Sequence, residues 1–153
     1  MAKSLSHSRR DALLLGGAAA LAAMLAPRMA MADAKAVADE IKKLYGDKKI
    51  AEGKIKLDVP QIAENGLVVP ISVEIDSPMS AEDFVKSVHV YADGNPLPQV
   101  VSYRFSPECG KASASTRMRL AQTQNIICIA EMSNGSLYST KAEVKVTIGG
   151  CGG

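Results

Sequence analysis

The sequence has no tryptophan, two phenylalanines, two histidines and three cysteines among its 153 residues. Each shortage excludes something. Aromatic residues make up 4% of the chain, so its core must be aliphatic, and a standard antibody-type domain with its buried tryptophan is not expected. His7 lies near the start, so a histidine-based metal site or a Ser/Cys–His triad in the body of the chain would rest on His89 alone. A glycine-rich phosphate loop, G-x-S-x-G, H-E-x-x-H and C-x-x-C are all missing. The formal net charge of +2 is too small to mark a nucleic-acid binder. What is present is ordinary for one globular domain: a suitable length and 47% apolar residues. The odd cysteine count stands out. In an exported chain one thiol must stay free, pair with another molecule or do chemistry.

The first 32 residues differ from the rest. Ser8-Arg9-Arg10-Asp11 precedes an uncharged run from Ala12 to Ala26, and Ala30-Met31-Ala32 supplies a small-residue cleavage site. The run is shorter than the ~20 residues that a membrane-spanning helix needs. The order of features is that of a signal peptide, and the paired arginines point to the twin-arginine type. Ala12-Leu13-Leu14 stand where the usual pattern has Phe-Leu-Lys, so the match is partial. Cleavage after residue 32 would remove Lys3, Arg9, Arg10, Arg28 and Asp11. It would leave 121 residues with 14 basic and 15 acidic groups, a net charge of −1. Cys109, Cys128 and Cys151 all remain, in a compartment that permits disulfides. The expected location is the periplasm, with no membrane segment after cleavage.

From Ala34 to Tyr45, Val37, Ile41 and Leu44 follow a helical spacing that Gly46 can end. Beyond Gly53 the apolar period becomes two. It runs through Ile55–Val59, Val69–Ile75, Val88–Ala92, Val101–Phe105, Thr116–Leu120 and Ala142–Ile148, with Asn125–Met132 apolar on both faces. Turns fall at Asn65-Gly66, Ser77-Pro78, Asp93-Gly94-Asn95-Pro96, Ser106-Pro107 and Asn134-Gly135. Ser80 and Asp83 offer a cap for one helical turn. About seven strands without crossover helices predict an all-β, antiparallel, immunoglobulin-like sandwich with a short N-terminal helix. Three segments are expected: a signal peptide over 1–32, a helix plus sandwich over 33–148, and an arm over 149–153.

Candidate chemistry is sparse. His89 reads as a surface or interface histidine, although a site built from Cys109, Cys128 and His89 is conceivable on residue types alone. Arg117 and Arg119 share one face of an expected strand and read as solvated or partner-facing rather than as an anion clamp. The carboxylates are scattered, and no catalytic or metal-ligating set is assigned. Cys109 and Cys128 are separated by one expected strand. They either bridge, adding ~2–4 kcal/mol, or Cys128 stays a buried free thiol.

The tail is unlike the rest. Gly149-Gly150-Cys151-Gly152-Gly153 directly follows a cleanly alternating strand. Four glycines cannot pack a core, and glycine loses the most entropy on ordering. The segment reads as a tether bearing one thiol, reaching roughly 10 Å from Ile148 to Cys151 at ~3.3–3.6 Å per residue. Without side chains on either neighbour, the thiol can enter a narrow pocket on another protein. Three other readings compete: a frayed terminus, an intermolecular disulfide, and sulfur chemistry at the Gly-Gly carboxylate. The last needs ATP and a cytoplasmic setting, which export denies.

The ending Val144–Gly153 resembles the carrier subunit Y of the periplasmic sulfur-oxidising (Sox) system. So do Asn95-Pro96-x-Pro98, Phe105-Ser106-Pro107, Ser115–Leu120 and Ala130–Gly135. The resemblance implies an immunoglobulin-like sandwich paired with a Z subunit, exported together by the twin-arginine route. It makes Cys151 the covalent attachment point, carried on Gly149, Gly150, Gly152 and Gly153. It implies three enzyme partners: a c-type cytochrome complex that joins thiosulfate to the thiol, a dimanganese hydrolase that releases sulfate, and in some systems a molybdenum–haem dehydrogenase for the sulfane sulfur. The chain itself would be neither enzyme nor cofactor protein. Cys109 and Cys128 fall outside the family motif. The alternatives are an exported interaction module whose tail cysteine forms an intermolecular disulfide, and a thiol metal-binding domain.

Overall fold

The computed structural model describes residues 34–149. They form one helix, α1 (Ala34–Tyr45), and nine strands in chain order. These are β1 (Ile50–Glu52), β2 (Ile55–Asp58), β3 (Ile62–Asn65), β4 (Val69–Ile75), β5 (Val85–Ala92), β6 (Gln99–Arg104), β7 (Ala112–Met118), β8 (Gln124–Met132) and β9 (Leu137–Ile148). The larger sheet has the order β1-β9-β8-β5-β6, with β3 also pairing with β9. The smaller is β2-β4-β7.

The two-residue period places the core. Val88, Val90 and Ala92 of β5 and Ile126, Cys128, Ala130 and Met132 of β8 are buried against Val69, Ile71, Val73 and Ile75 of β4. Burying one such side chain contributes ~1.5–3 kcal/mol. The all-β sandwich is therefore as expected, with an aliphatic core.

Helix α1 explains why β8 is apolar on both faces. The outward residues Tyr91, Ile129 and Leu137 meet Val37 and Tyr45 in a second cluster, flanked by Ile41, Ile50 and Ile127. The helix thus covers the outer face of the larger sheet. Its buried stripe is Val37–Ile41–Tyr45, spaced four and four. Leu44, expected in that stripe, is 49% exposed instead.

Three further departures have physical causes. Strands β1 and β3 were not anticipated, being short. Both pair in parallel with β9, Ile50 opposite Leu137 and Ile62 opposite Lys145, so the sandwich is not purely antiparallel. Parallel pairing needs no crossover helix between adjacent strands here, because the chain returns to β9 from far away in sequence. β7 ends at Met118, so Arg119 lies beyond the strand that was expected to carry it alongside Arg117. Ser80 does bond the backbone of Asp83, with Asp83 N–H donating to Ser80 Oγ at 3.1 Å, yet no helical turn forms.

Candidate functional site

The end of β9 is the point to which the fold delivers the tail. Val144 is buried and holds the strand to the core, whereas Thr147, Ile148 and Gly149 are exposed. Backbone and side-chain partners fix the strand's last turnings. Lys145 N–H donates to Gln61 O at 2.9 Å, and Val146 N–H donates to Thr123 Oγ1 at 3.0 Å. The carbonyl of Ile148 accepts from Gly66 N–H at 2.7 Å, and the carbonyl of Gly66 accepts from Leu120 N–H at 2.8 Å. The Asn65-Gly66 turn therefore sits between the end of β9 and the 119–123 loop. Ile62, Leu67, Val68 and Ile148 are exposed apolar residues near this strand end.

The loop itself is held from below by two buried amides. Asn95 Nδ2 donates to Arg119 O at 2.8 Å, and Asn95 Oδ1 accepts from Ala121 N–H at 3.0 Å. Gln124 Nε2 donates to the same Oδ1 at 2.9 Å, while Gln124 Oε1 accepts from Gly94 N–H at 2.7 Å. Asn95 is 9% exposed and Gln124 4%. Buried amides are tolerated only when satisfied, so this network specifies one arrangement of the Asp93–Pro96 turn against the loop. Gly149 passes over that loop at close range. A Cβ built on it would collide with the carbonyl oxygen of Ala121.

Gly150, Cys151, Gly152 and Gly153 lie outside the described residues, so the expected thiol arm is described only at its first residue, Gly149. The other two cysteines are free thiols in opposite surroundings. Cys109 is exposed on a single 3-10 turn over Pro107–Cys109, 4.0 Å from Ser106 Oγ. Cys128 is buried in the main core, and burial pushes its thiol up to about 12. The bridge between them that the sequence left open is not formed. Cys128 Sγ faces the sandwich interior from mid-strand, whereas Cys109 belongs to the solvent-facing turn before β7.

His89 faces α1. Its ring meets Tyr45 edge-on at 6.0 Å between centroids and stacks with Tyr91 at 6.4 Å. Ser102 Oγ lies 2.8 Å from His89 Nδ1 and accepts from Gln99 Nε2 at 2.6 Å. Burial lowers the pKa of His89, with Glu131 opposing and Arg104 assisting. Burial likewise raises that of Tyr91 to about 12. His89 is thus a packing residue beneath the helix, separated from both cysteines' environments. Among the described residues, no group of three or more His, Cys, Asp or Glu side chains gathers in metal-binding fashion. Arg117 and Arg119 are exposed.

The sequence marks Asn95 as part of a turn and of the Asn95-Pro96-x-Pro98 resemblance, and Gln124 and Ala121 fall outside every motif read from it. A polar amide opening an otherwise apolar strand was the available signal for Gln124. Nothing in the sequence marks Ala121, whose contribution is a backbone carbonyl.

Fold and strand end together define an immunoglobulin-like sandwich whose last strand runs from the core to an exposed end at Thr147–Gly149. The family model for sulfur oxidation protein SoxY matches residues 41–151, and the chain belongs to that family. It is a carrier protein of sulfur oxidation. The structure of the sulfur carrier protein SoxY from Chlorobium limicola f thiosulfatophilum is similar at 33% identity and a TM-score of 0.64. That match covers 76% of this chain and all of the other. Superoxide reductase (neelaredoxin) from Ignicoccus hospitalis superposes with a TM-score of 0.55 at 16% identity, covering 76% of this chain and 94% of that one. A putative superoxide reductase from Thermotoga maritima gives 0.51 at 19%, covering 69% and 89%. Those two likenesses show the fold alone. No curated protein sequence matches the chain.

Proposed function

We propose that this chain is a periplasmic carrier that holds intermediates of thiosulfate oxidation covalently on Cys151 while partner enzymes act on them. The observation that carries the reading is the junction at Ile148–Gly149. A strand anchored in the core at Val144 becomes exposed at Thr147–Gly149, and the family match runs on through Cys151. The described cysteines differ from a thiol on a terminal arm. Cys128 is buried and stays protonated, and Cys109 is bound into a turn.

In this proposal residues 1–32 are a twin-arginine signal, 33–148 the carrier domain and 149–153 the arm. Loading joins the thiolate of Cys151 to the sulfane sulfur of thiosulfate. One S–S bond forms, the thiol proton is released, and two electrons pass to a c-type cytochrome partner. Water then cleaves the S–S bond to the sulfonate group on a dimanganese hydrolase, releasing sulfate and leaving a persulfide on Cys151. In systems that have one, a molybdenum–haem dehydrogenase would take six electrons from that sulfane sulfur while three waters supply its oxygens, and hydrolysis by a further water would release a second sulfate and restore the thiol. The carrier supplies the nucleophilic sulfur and its reach, and the partners supply catalysis. A Z subunit completes the carrier as a heterodimer.

Mass spectrometry of the protein from thiosulfate-grown cells tests this. Thiosulfonate or persulfide adducts should appear on the C-terminal peptide and vanish in Cys151→Ala. A stable protein–protein disulfide there, with no sulfur adduct, would overturn the carrier reading in favour of an interaction module.

A further inference from the structure

We propose that residues 119–124 form a collar that fixes the root of the arm at Gly149, with Asn95 as its positioning residue. The inference rests on the carrier reading for its consequence, but its geometry stands apart from it. Four contacts run in series. Ile148 O accepts from Gly66 N–H at 2.7 Å, and Gly66 O accepts from Leu120 N–H at 2.8 Å. Ala121 N–H donates to Asn95 Oδ1 at 3.0 Å, and Asn95 Nδ2 donates to Arg119 O at 2.8 Å. Gln124 Nε2 braces the same Oδ1 at 2.9 Å. Gly149 then rests against Ala121 O so closely that no Cβ fits.

Gly149 therefore differs in role from the loose glycine that composition alone predicts. Its missing side chain permits a close approach to a held carbonyl, and the approach removes a joint from the tether. The arm pivots after Gly149 rather than after Ile148. Two residue steps then lead from the pivot to Cys151, a reach of roughly 7 Å in place of roughly 10 Å at ~3.3–3.6 Å per residue. Volume scales with the cube of reach, so the thiol is confined to about a third of the space. Its effective concentration at a pocket docked over the collar rises about threefold. The fixed root also sets the direction from which the sulfur enters that pocket, where misplacement by an ångström is costly.

The experiment uses the mature chain, labelled with nitrogen-15, as wild type, Gly149→Ala and Asn95→Ala. In the wild type the heteronuclear NOE of the Gly149 amide should match that of Ile148, and Asn95→Ala should lower it. Loading of Cys151 by thiosulfate with the c-type cytochrome complex should lose at least about tenfold in kcat/KM in Gly149→Ala. Alkylation of Cys151 by iodoacetamide should change by less than twofold, because the small reagent needs no docked pocket. A wild-type Gly149 as mobile as a free chain end would overturn the collar, as would normal loading of Gly149→Ala. Should Asn95→Ala fail to fold, the wild-type NOE and the Gly149→Ala kinetics still decide. Should the wild type take no sulfur at all, the carrier reading fails while the NOE still judges the collar.

Discussion

The three cysteines should differ in reactivity by orders of magnitude, and the structure gives the size for one of them. Only the thiolate is nucleophilic. Burial moves Cys128 from its ordinary 9.0 to about 12. At pH 8 a thiol of pKa 9 is about 10% ionised, and one near 12 is ionised about one part in ten thousand. Ionisation alone therefore slows alkylation of Cys128 about a thousandfold. Its lack of exposure adds a second barrier, since the reagent must wait for the sandwich to open. The assay is iodoacetamide labelling of the mature chain at pH 8, followed by peptide mass spectrometry. Cys109 and Cys151 should react in native buffer, and Cys128 only in guanidinium chloride. A Cys151→Ser variant should leave Cys109 as the single fast site. Labelling of Cys128 within tenfold of Cys109 under native conditions would refute the placement of β8 at the centre of the core.

Alkaline stability should fall from about pH 9, because unfolded Cys128 releases its proton there while the folded thiol keeps it up to about 12. Each pH unit in that window costs about 1.4 kcal/mol, so Cys128→Ala should flatten the slope in urea melts between pH 9 and 11. His89 has the opposite sign. Its folded pKa lies below the ordinary 6.5, so its contribution is full above that pH and is lost as acid charges the unfolded ring first. His89→Gln should weaken the decline in stability between pH 6.5 and 5, read by thermal melts. Asn95→Ala removes the partner of Ala121 N–H and Arg119 O in a buried setting, at ~1–3 kcal/mol per stranded group, measurable as a lowered urea midpoint. Ile129→Ala should cost ~2–5 kcal/mol by opening a cavity beneath α1, and should detach the helix before the sandwich melts, seen as early amide exchange over Ala34–Tyr45.

Strand β4 and the second half of β9 were legible because one face is more buried than the other, which enforces a period of two, whereas β5 and β8 were legible as apolar strands that are buried on both faces. The three- and four-residue strands β1 and β3 were not, because so short a segment shows no period and takes its structure from pairing with β9. The helix was legible in extent but not in its facing. Tyr45 rather than Leu44 turns inward because the outer face of β5 and β8 offers it His89 and Tyr91. The free state of Cys128 was equally out of reach, since a cysteine in an apolar strand fits both a bridge and a buried thiol.

The sequence by itself determined the sandwich class, the aliphatic core and the placement of a lone thiol among glycines after the last strand. Those follow from residue type and local period, which are properties of neighbours along the chain. Tertiary structure alone decided which cysteines stay apart and what covers the outer sheet face. It also brought Gly149 against the carbonyl of Ala121. That last point depends on Asn95, Ala121, Gln124 and Gly149, residues brought together by turns of backbone. A carbonyl that forbids a Cβ leaves no trace in composition or spacing, because the atom responsible is common to every residue.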